Sequence, residues 1–127
     1  MGKSARAVES QRALLLTAAL AAMLLPLNST MIAVAIPDIT RDFGGDAGSA
    51  TWLVGGYLIA MASLQPLAGK LGDRFGRRPL ILGGLAWFAA ASLAAALAPS
   101  LPVLIAFRLP QGVAGALAFP NALAVVR

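Results

Sequence analysis

Cysteine and histidine are absent from these 127 residues. That removes disulfides, thiol nucleophiles, imidazole bases and the usual zinc ligand sets together. Acids are scarce, five Asp and Glu against ten Lys and Arg, and charged residues make up only 12% of the chain. Aromatic residues reach 6%. No acid–base pair falls inside an apolar run, and neither a nucleophile motif nor a phosphate-binding glycine loop is present. An enzyme is therefore not expected, and neither is a cofactor or a metal.

What fills the chain instead is apolar. Hydrophobic residues make up 59% and the mean hydropathy is +0.82, well beyond a soluble domain of this length. Folded in water, such a chain would expose apolar patches on the order of several hundred Å², a state that aggregates. Hydrocarbon is the natural solvent. The net charge of +5 would point to nucleic acid if it were spread along a surface. Here the cations cluster beside apolar runs, which makes them topology anchors facing anionic lipid headgroups. The lipid bilayer is the expected partner, and nucleic acid is not.

Residues 1–12 form a polar stretch, with Lys3, Arg6 and Arg12 against Glu9, and are expected to be a cytoplasmic tail. Four apolar runs follow, at about 13–36, 51–68, 79–98 and 103–126. Each approaches or exceeds the ~20 residues a helix needs to cross the hydrocarbon. Ala19-Leu20-Ala21 imitates a signal-peptide cleavage site, but the first run stays apolar well beyond it, so it reads as a retained span. The stretch 37–50 between the first two runs carries Asp38, Arg41, Asp42 and Asp46, a net charge of −2. That suits the outer face, since cytoplasmic loops collect Lys and Arg. Gly55, Ala62 and Gly69 recur every seven residues, a small-residue stripe on which a neighbouring helix is expected to approach closely. The third run, nearly free of polar groups, is expected to be scaffold. The expected fold is an all-α membrane protein, four transmembrane helices in one bundle over 13–127.

Charge is densest at Gly69-Lys70-Leu71-Gly72-Asp73-Arg74-Phe75-Gly76-Arg77-Arg78-Pro79. Four cations, one acid and three glycines occupy the gap between the second and third runs, so this gap belongs on the cytoplasmic side. Gly69, Leu71, Asp73, Arg74, Gly76, Arg77 and Arg78, with Ile81 closing the pattern, resemble the loop between the second and third helices of the major facilitator superfamily of transporters. The resemblance implies that Asp73 helps hold the two halves of a transporter together when its cytoplasmic side is closed. Arg74, Arg77 and Arg78 are then candidate partners for Asp73, for lipid phosphates or for acids of the other half. Gly69 and Gly76 would permit close approach and a tight turn.

Arg108 is the anomaly inside a span. A mid-span Arg costs ~2.5–3.5 kcal/mol on insertion scales and normally faces the bundle interior or a water-filled cavity. Gln111, Gly112 and Gly115 follow it at spacings that share its helical face, and such a face suits protein rather than lipid. Arg108-Leu109-Pro110-Gln111-Gly112-Val113-Ala114-Gly115 resembles the fourth-helix motif of drug-exporting facilitators, in which the Arg is associated with proton transfer. Gly112 and Gly115 would serve helix packing. Leu27-Asn28-Ser29-Thr30 through Pro37 resembles the first helix of the fourteen-span drug:proton antiporter branch. It departs from that pattern at Asn28, where the branch has an acid, and at Ala33. An amide does not titrate, so proton carriage on this helix is put in question. By the ~1.5 Å rise per residue, Asn28 lies about 12 Å and Arg108 about 9 Å below the outer ends of their runs. At matching depth, a hydrogen bond from Arg108 to the Asn28 carbonyl is expected, with Thr30 and Gln111 beside it.

The resemblances imply the N-terminal part of a proton-coupled multidrug exporter, working by alternating access between two six-helix halves. Its expected setting is the cell membrane, multi-pass, with the N-terminus in the cytoplasm. The proton gradient would be its energy source, the remaining helices of the same transporter its partners, and a hydrophobic or cationic small molecule its cargo. Two other readings fit the residues: a facilitator of a metabolite, sugar or osmolyte, and a complete four-span membrane protein or assembly subunit.

Overall fold

The structure is a computed structural model that describes residues 2–127, the side chains of Lys3 and Leu25 aside. Met1 and the Lys3 side chain of the expected tail lie outside what is described. The described residues form four α-helices: α1 Gly2–Phe43, α2 Ala47–Phe75, α3 Arg77–Ala96 and α4 Leu101–Val126. All four are long and apolar enough to cross a membrane. In hydrocarbon the backbone has no water to bond, so an apolar run of this length must satisfy its N–H and C=O groups within its own helix.

Helix boundaries differ from the sequence expectation in three places. Residues 2–12, expected as a polar tail, are helical and continuous with the first span. The stretch is rich in Ala, Ser, Arg, Glu and Gln, which are good or tolerable helix formers. Pro37 does not end α1, which runs on to Phe43. A proline forfeits one donor, and near a helix end water can serve the freed carbonyl. The following turn is reinforced by Thr40 Oγ1, which donates to the Ile36 and Pro37 carbonyls at 3.0 and 2.9 Å. The expected outer loop shrinks to Gly44–Asp46, with Asp46 capping α2 by accepting from the Ser49 amide at 3.0 Å.

The third difference matters most. The charged stretch is a helix–Gly–helix hairpin rather than a loop, for α2 runs through Phe75 and α3 begins at Arg77. Only Gly76 breaks the helices, at φ +92° and ψ 146°, a backbone region that residues with a Cβ avoid. Charge does not unwind a helix that ends in water; the missing side chain at Gly76 does.

Helices α2 and α4 run parallel. Arg108 reaches back 55 residues to Leu53, and Asn121 reaches back 53 to Ala68. Helix α3 runs antiparallel to α4, bringing Ser92 to Gln111. Helix α4 packs against all three others. At the Gly76 end, Ala18 and Ala21 of α1 meet Ile81 and Ala122. Farther along, Tyr57 and Met61 of α2 pack on Ala116. Lipid is as apolar as leucine, so close packing of small residues holds such helices together.

Among these four helices the stripe Gly55–Ala62–Gly69 is not the face that packs. A Cβ on Gly55 or Gly69 would meet nothing within 4 Å, and Ala62 is exposed. The buried face of α2 is Leu53, Gly56, Tyr57, Met61, Ala68 and Gly72. Both stripes have helical spacing, and periodicity alone does not choose between faces.

Candidate functional site

Helix α4 carries three buried polar side chains: Arg108 is 1% exposed, Gln111 3% and Asn121 2%. They are held there by how closely α4 approaches α2. A side chain at Gly112 would put its Cβ 2.7 Å from the Tyr57 carbonyl and 2.8 Å from the Ala60 Cβ. No residue larger than glycine fits without displacing a helix. One turn before it, the Arg108 side chain therefore lands directly on α2.

Arg108 Nε donates to the Leu53 carbonyl at 2.7 Å. A helix carbonyl keeps a second lone pair after its own helical bond, so this bond costs α2 nothing. Arg108 Nη1 donates to Gln111 Oε1, and Gln111 Nε2 donates in turn to Ser92 Oγ on α3 at 3.0 Å. The guanidinium also stacks on the Tyr57 ring, 4.5 Å from its centroid. One relay thus ties α2, α4 and α3 together around a positive charge. Hydrogen bonds to a charged group contribute ~1.5–3 kcal/mol each, and a desolvated cation–π contact ~2 kcal/mol or more. Together these are as large as the insertion cost of the Arg, so it can sit there without an acid beside it.

Gln111 and Gly112 join Arg108 as the sequence reading expected, and Gly115 is buried on the same helix. The other two residues of the expected cluster behave differently. Among the described residues Arg108 makes no hydrogen bond to Asn28; its partners are the Leu53 carbonyl and Gln111. Depth along a span does not fix azimuth, and it is a carbonyl of α2 that receives the guanidinium. The Asn28 Nδ2 is buried without a partner. Thr30 is exposed and donates to the Pro26 carbonyl of its own helix at 3.0 Å. Sequence reasoning missed the roles of Tyr57 and Ser92. The available signals were a single Tyr and a single Ser in otherwise apolar stretches.

At the hairpin, Asp73 pairs with Arg77 at 3.0 Å. Arg78 donates to Ser10 Oγ on α1 at 3.4 Å, and Arg74 lies 5.5 Å from the Phe75 ring centroid. Arg77 and Arg78 occupy the first turn of α3, the positive end of its dipole, where cations are unfavourable and an acid offsets them. Asp73 supplies that acid from the last turn of α2. Behind it, Asn121 Nδ2 donates to the Ala68 carbonyl at 3.2 Å and to the Leu117 carbonyl at 2.7 Å. Its Oδ1 fills the space that a Cβ on Gly72 would need. The close approach here belongs to Gly72, and not to Gly69.

A four-helix membrane bundle with a charge buried in its interior and a mixed-sign hairpin at one end has the build of a multi-pass transporter unit. The chain belongs to the Major Facilitator Superfamily, whose family model matches residues 18–127. It is 50% identical over 115 residues to the uncharacterized MFS-type transporter YvkA of Bacillus subtilis, covering 91% of this chain and 26% of that protein. It is 42% identical over 113 residues to the tetracenomycin C resistance and export protein of Streptomyces glaucescens, covering 89% and 21%. Against the multidrug efflux pump LfrA of Mycolicibacterium smegmatis it is 41% identical over 109 residues, covering 86% and 22%. The chain spans about a quarter of the length of these curated relatives.

Proposed function

We propose that these four helices open the N-terminal half of a proton-coupled exporter of small hydrophobic molecules, working by alternating access. The observation that carries this reading is the buried relay of Leu53, Arg108, Gln111 and Ser92. A charge kept in the interior of a span marks a pathway or a coupling site, and drug export is what two of the relatives are named for. Alternating access needs two states whose balance protons and cargo shift through differential affinity. The hairpin supports this, because its Asp73–Arg77 pair is exposed and free to exchange partners.

In this reading the Gly76 end lies in the cytoplasm of the cell and the N-terminus beside it. Lys70, Arg74, Arg77, Arg78 and Arg127 gather at that end, with Ser10 next to Arg78, and such clusters stay inside. All five acids are exposed along the described helices and their ends, so the titrating carboxylate belongs to the remaining helices, with Arg108 acting on it through its charge.

The test uses the full-length transporter in everted vesicles. Adding an exported dye should dissipate an imposed pH gradient, and nigericin should stop dye uptake. Dye movement that persists without a pH gradient would remove proton coupling. Absence of movement under every gradient would remove the exporter reading. The cysteine-free sequence also suits single-cysteine labelling, and Gly76→Cys reacting from outside the cell would reverse the orientation.

A further inference from the structure

We propose that Asn121 is a positioning residue, which splints the inner ends of α2 and α4 into one block so that the Asp73 hairpin moves with α4. Its use in a transport cycle rests on the exporter reading above; the tie itself rests on geometry.

Each of the two helices carries a weak point at the same level. Pro66 lies inside α2 and Pro120 inside α4, and a proline has no N–H for the carbonyl four residues earlier. Those carbonyls belong to Ala62 and Ala116. A helix without such a bond bends there more readily than elsewhere. Pro66 precedes Ala68 by two residues and Pro120 precedes Asn121 by one. Asn121 bonds to Ala68, so neither proline is more than about 3 Å from that tie along its helix axis. Without the tie, residues 67–75 and 121–126 would be free to swing separately about the two prolines.

Asn121 removes that freedom. It is 2% exposed and spends both of its amide hydrogens, all that an Asn has to donate. The bond to the Leu117 carbonyl at 2.7 Å reinforces the turn of α4 that Pro120 weakens. The bond to the Ala68 carbonyl at 3.2 Å crosses to α2 just inward of Pro66. The amide oxygen then fills the place of a Cβ on Gly72, the residue before Asp73. The Gly72 carbonyl accepts in turn from the Gly76 amide at 3.0 Å, closing the last turn of α2 onto the hairpin. Contacts thus lead without a gap from α4 through Ala68 and Gly72 to Gly76. Apolar packing resists sliding only weakly where lipid can replace it. A directed bond with a glycine seat fixes the register, because a buried amide that lets go has no water to turn to.

Spin labels on the full-length transporter in nanodiscs test the tie, in a background free of other cysteines. Lys70→Cys with Leu123→Cys reads the block itself, and Leu58→Cys with Lys70→Cys spans Pro66; all three positions are exposed. The Lys70–Leu123 distance distribution should be single and keep its mean with and without an exported dye. Asn121→Leu keeps the volume but has nothing to donate, and should broaden or shift the distributions of both pairs. Gly72→Ala should do the same from the other side by displacing the amide, and should add nothing in Asn121→Ala, where that space is vacant. Dye turnover by Asn121→Leu should fall while dye affinity holds, since the residue places the hairpin and touches no cargo. A Lys70–Leu123 distribution unchanged in Asn121→Leu, or one that moves with dye in wild type, overturns the splint. Normal turnover in Asn121→Leu overturns the positioning role. Should Asn121→Leu fail to fold, Gly72→Ala and the wild-type comparison with dye decide. A transporter that moves no dye loses the exporter reading, while the distributions still decide the tie.

Discussion

Asp73 and Arg77 meet at 3.0 Å across Gly76, the one residue that separates α2 from α3. The pair staples the end of one helix to the start of the next. Both side chains are well exposed, at 39% for Arg77 and 70% for Asp73, so its contribution to stability is ~1 kcal/mol at most. A pair this weak is readily exchanged for another partner.

Asp73→Asn should accordingly insert normally and melt within a few degrees of wild type in detergent, yet lose transport. A variant that pumps at the wild-type rate would end the latch interpretation.

Gly72→Ala and Gly69→Ala form a matched pair. At Gly72 the new methyl collides with the Asn121 amide, whereas at Gly69 it enters open space. Overpacking of this kind costs ~1–3 kcal/mol, and Gly→Ala in an open helical position gains up to ~1 kcal/mol. Thermal melts of the two variants should therefore move in opposite directions. Equal melting temperatures would mean that Asn121 does not hold α4 against α2 at this level.

Arg108→Lys keeps the charge but loses the planar fork that serves Leu53 and Gln111 at once. A Lys is not equivalent at such a site, and transport should fall at least about tenfold at unchanged expression. Gln111→Leu should cost stability by ~1–3 kcal/mol, because it strands both the Arg108 Nη1 donor and the Ser92 hydroxyl. Near-wild-type behaviour of both would show the relay to be incidental.

Asp46 gives a pH test outside the membrane. Hydrogen bonds from Ser49, through its side chain and then its backbone amide, hold the carboxyl below the usual carboxylate range. A carboxyl whose folded value is depressed stabilises the fold above its unfolded value, and loses that contribution as pH falls through the folded one. The melting difference between wild type and Asp46→Ala should be present at neutral pH and shrink toward zero in acid. A difference that is constant with pH would assign the effect to packing instead of the cap.

Much of the site was legible before any coordinates. Arg108, Gln111 and Gly112 share a face by spacing alone, and a charge in an apolar run announces itself by its cost. Asn28 shows where that reasoning ended: its depth followed from counting residues, but the direction of its side chain depended on how α1 is rotated against α2. The Gly55–Ala62–Gly69 stripe meets none of these helices for the same reason. Tyr57 and Ser92 escaped notice because neither is costly in a span, and only their partners give them a role.

The sequence by itself determined that four helices cross a membrane, which end carries the cations, and that Arg108 must be buried. Each of these follows from hydrocarbon length and from the free energy of moving charge into lipid, which are properties of single segments. Tertiary structure alone decided that the charged stretch closes into a hairpin on Gly76, that Gly72 and not Gly69 meets its neighbour, and that a carbonyl of α2 receives the guanidinium. Those outcomes depend on the rotation and register of one helix against another, which no single helix encodes.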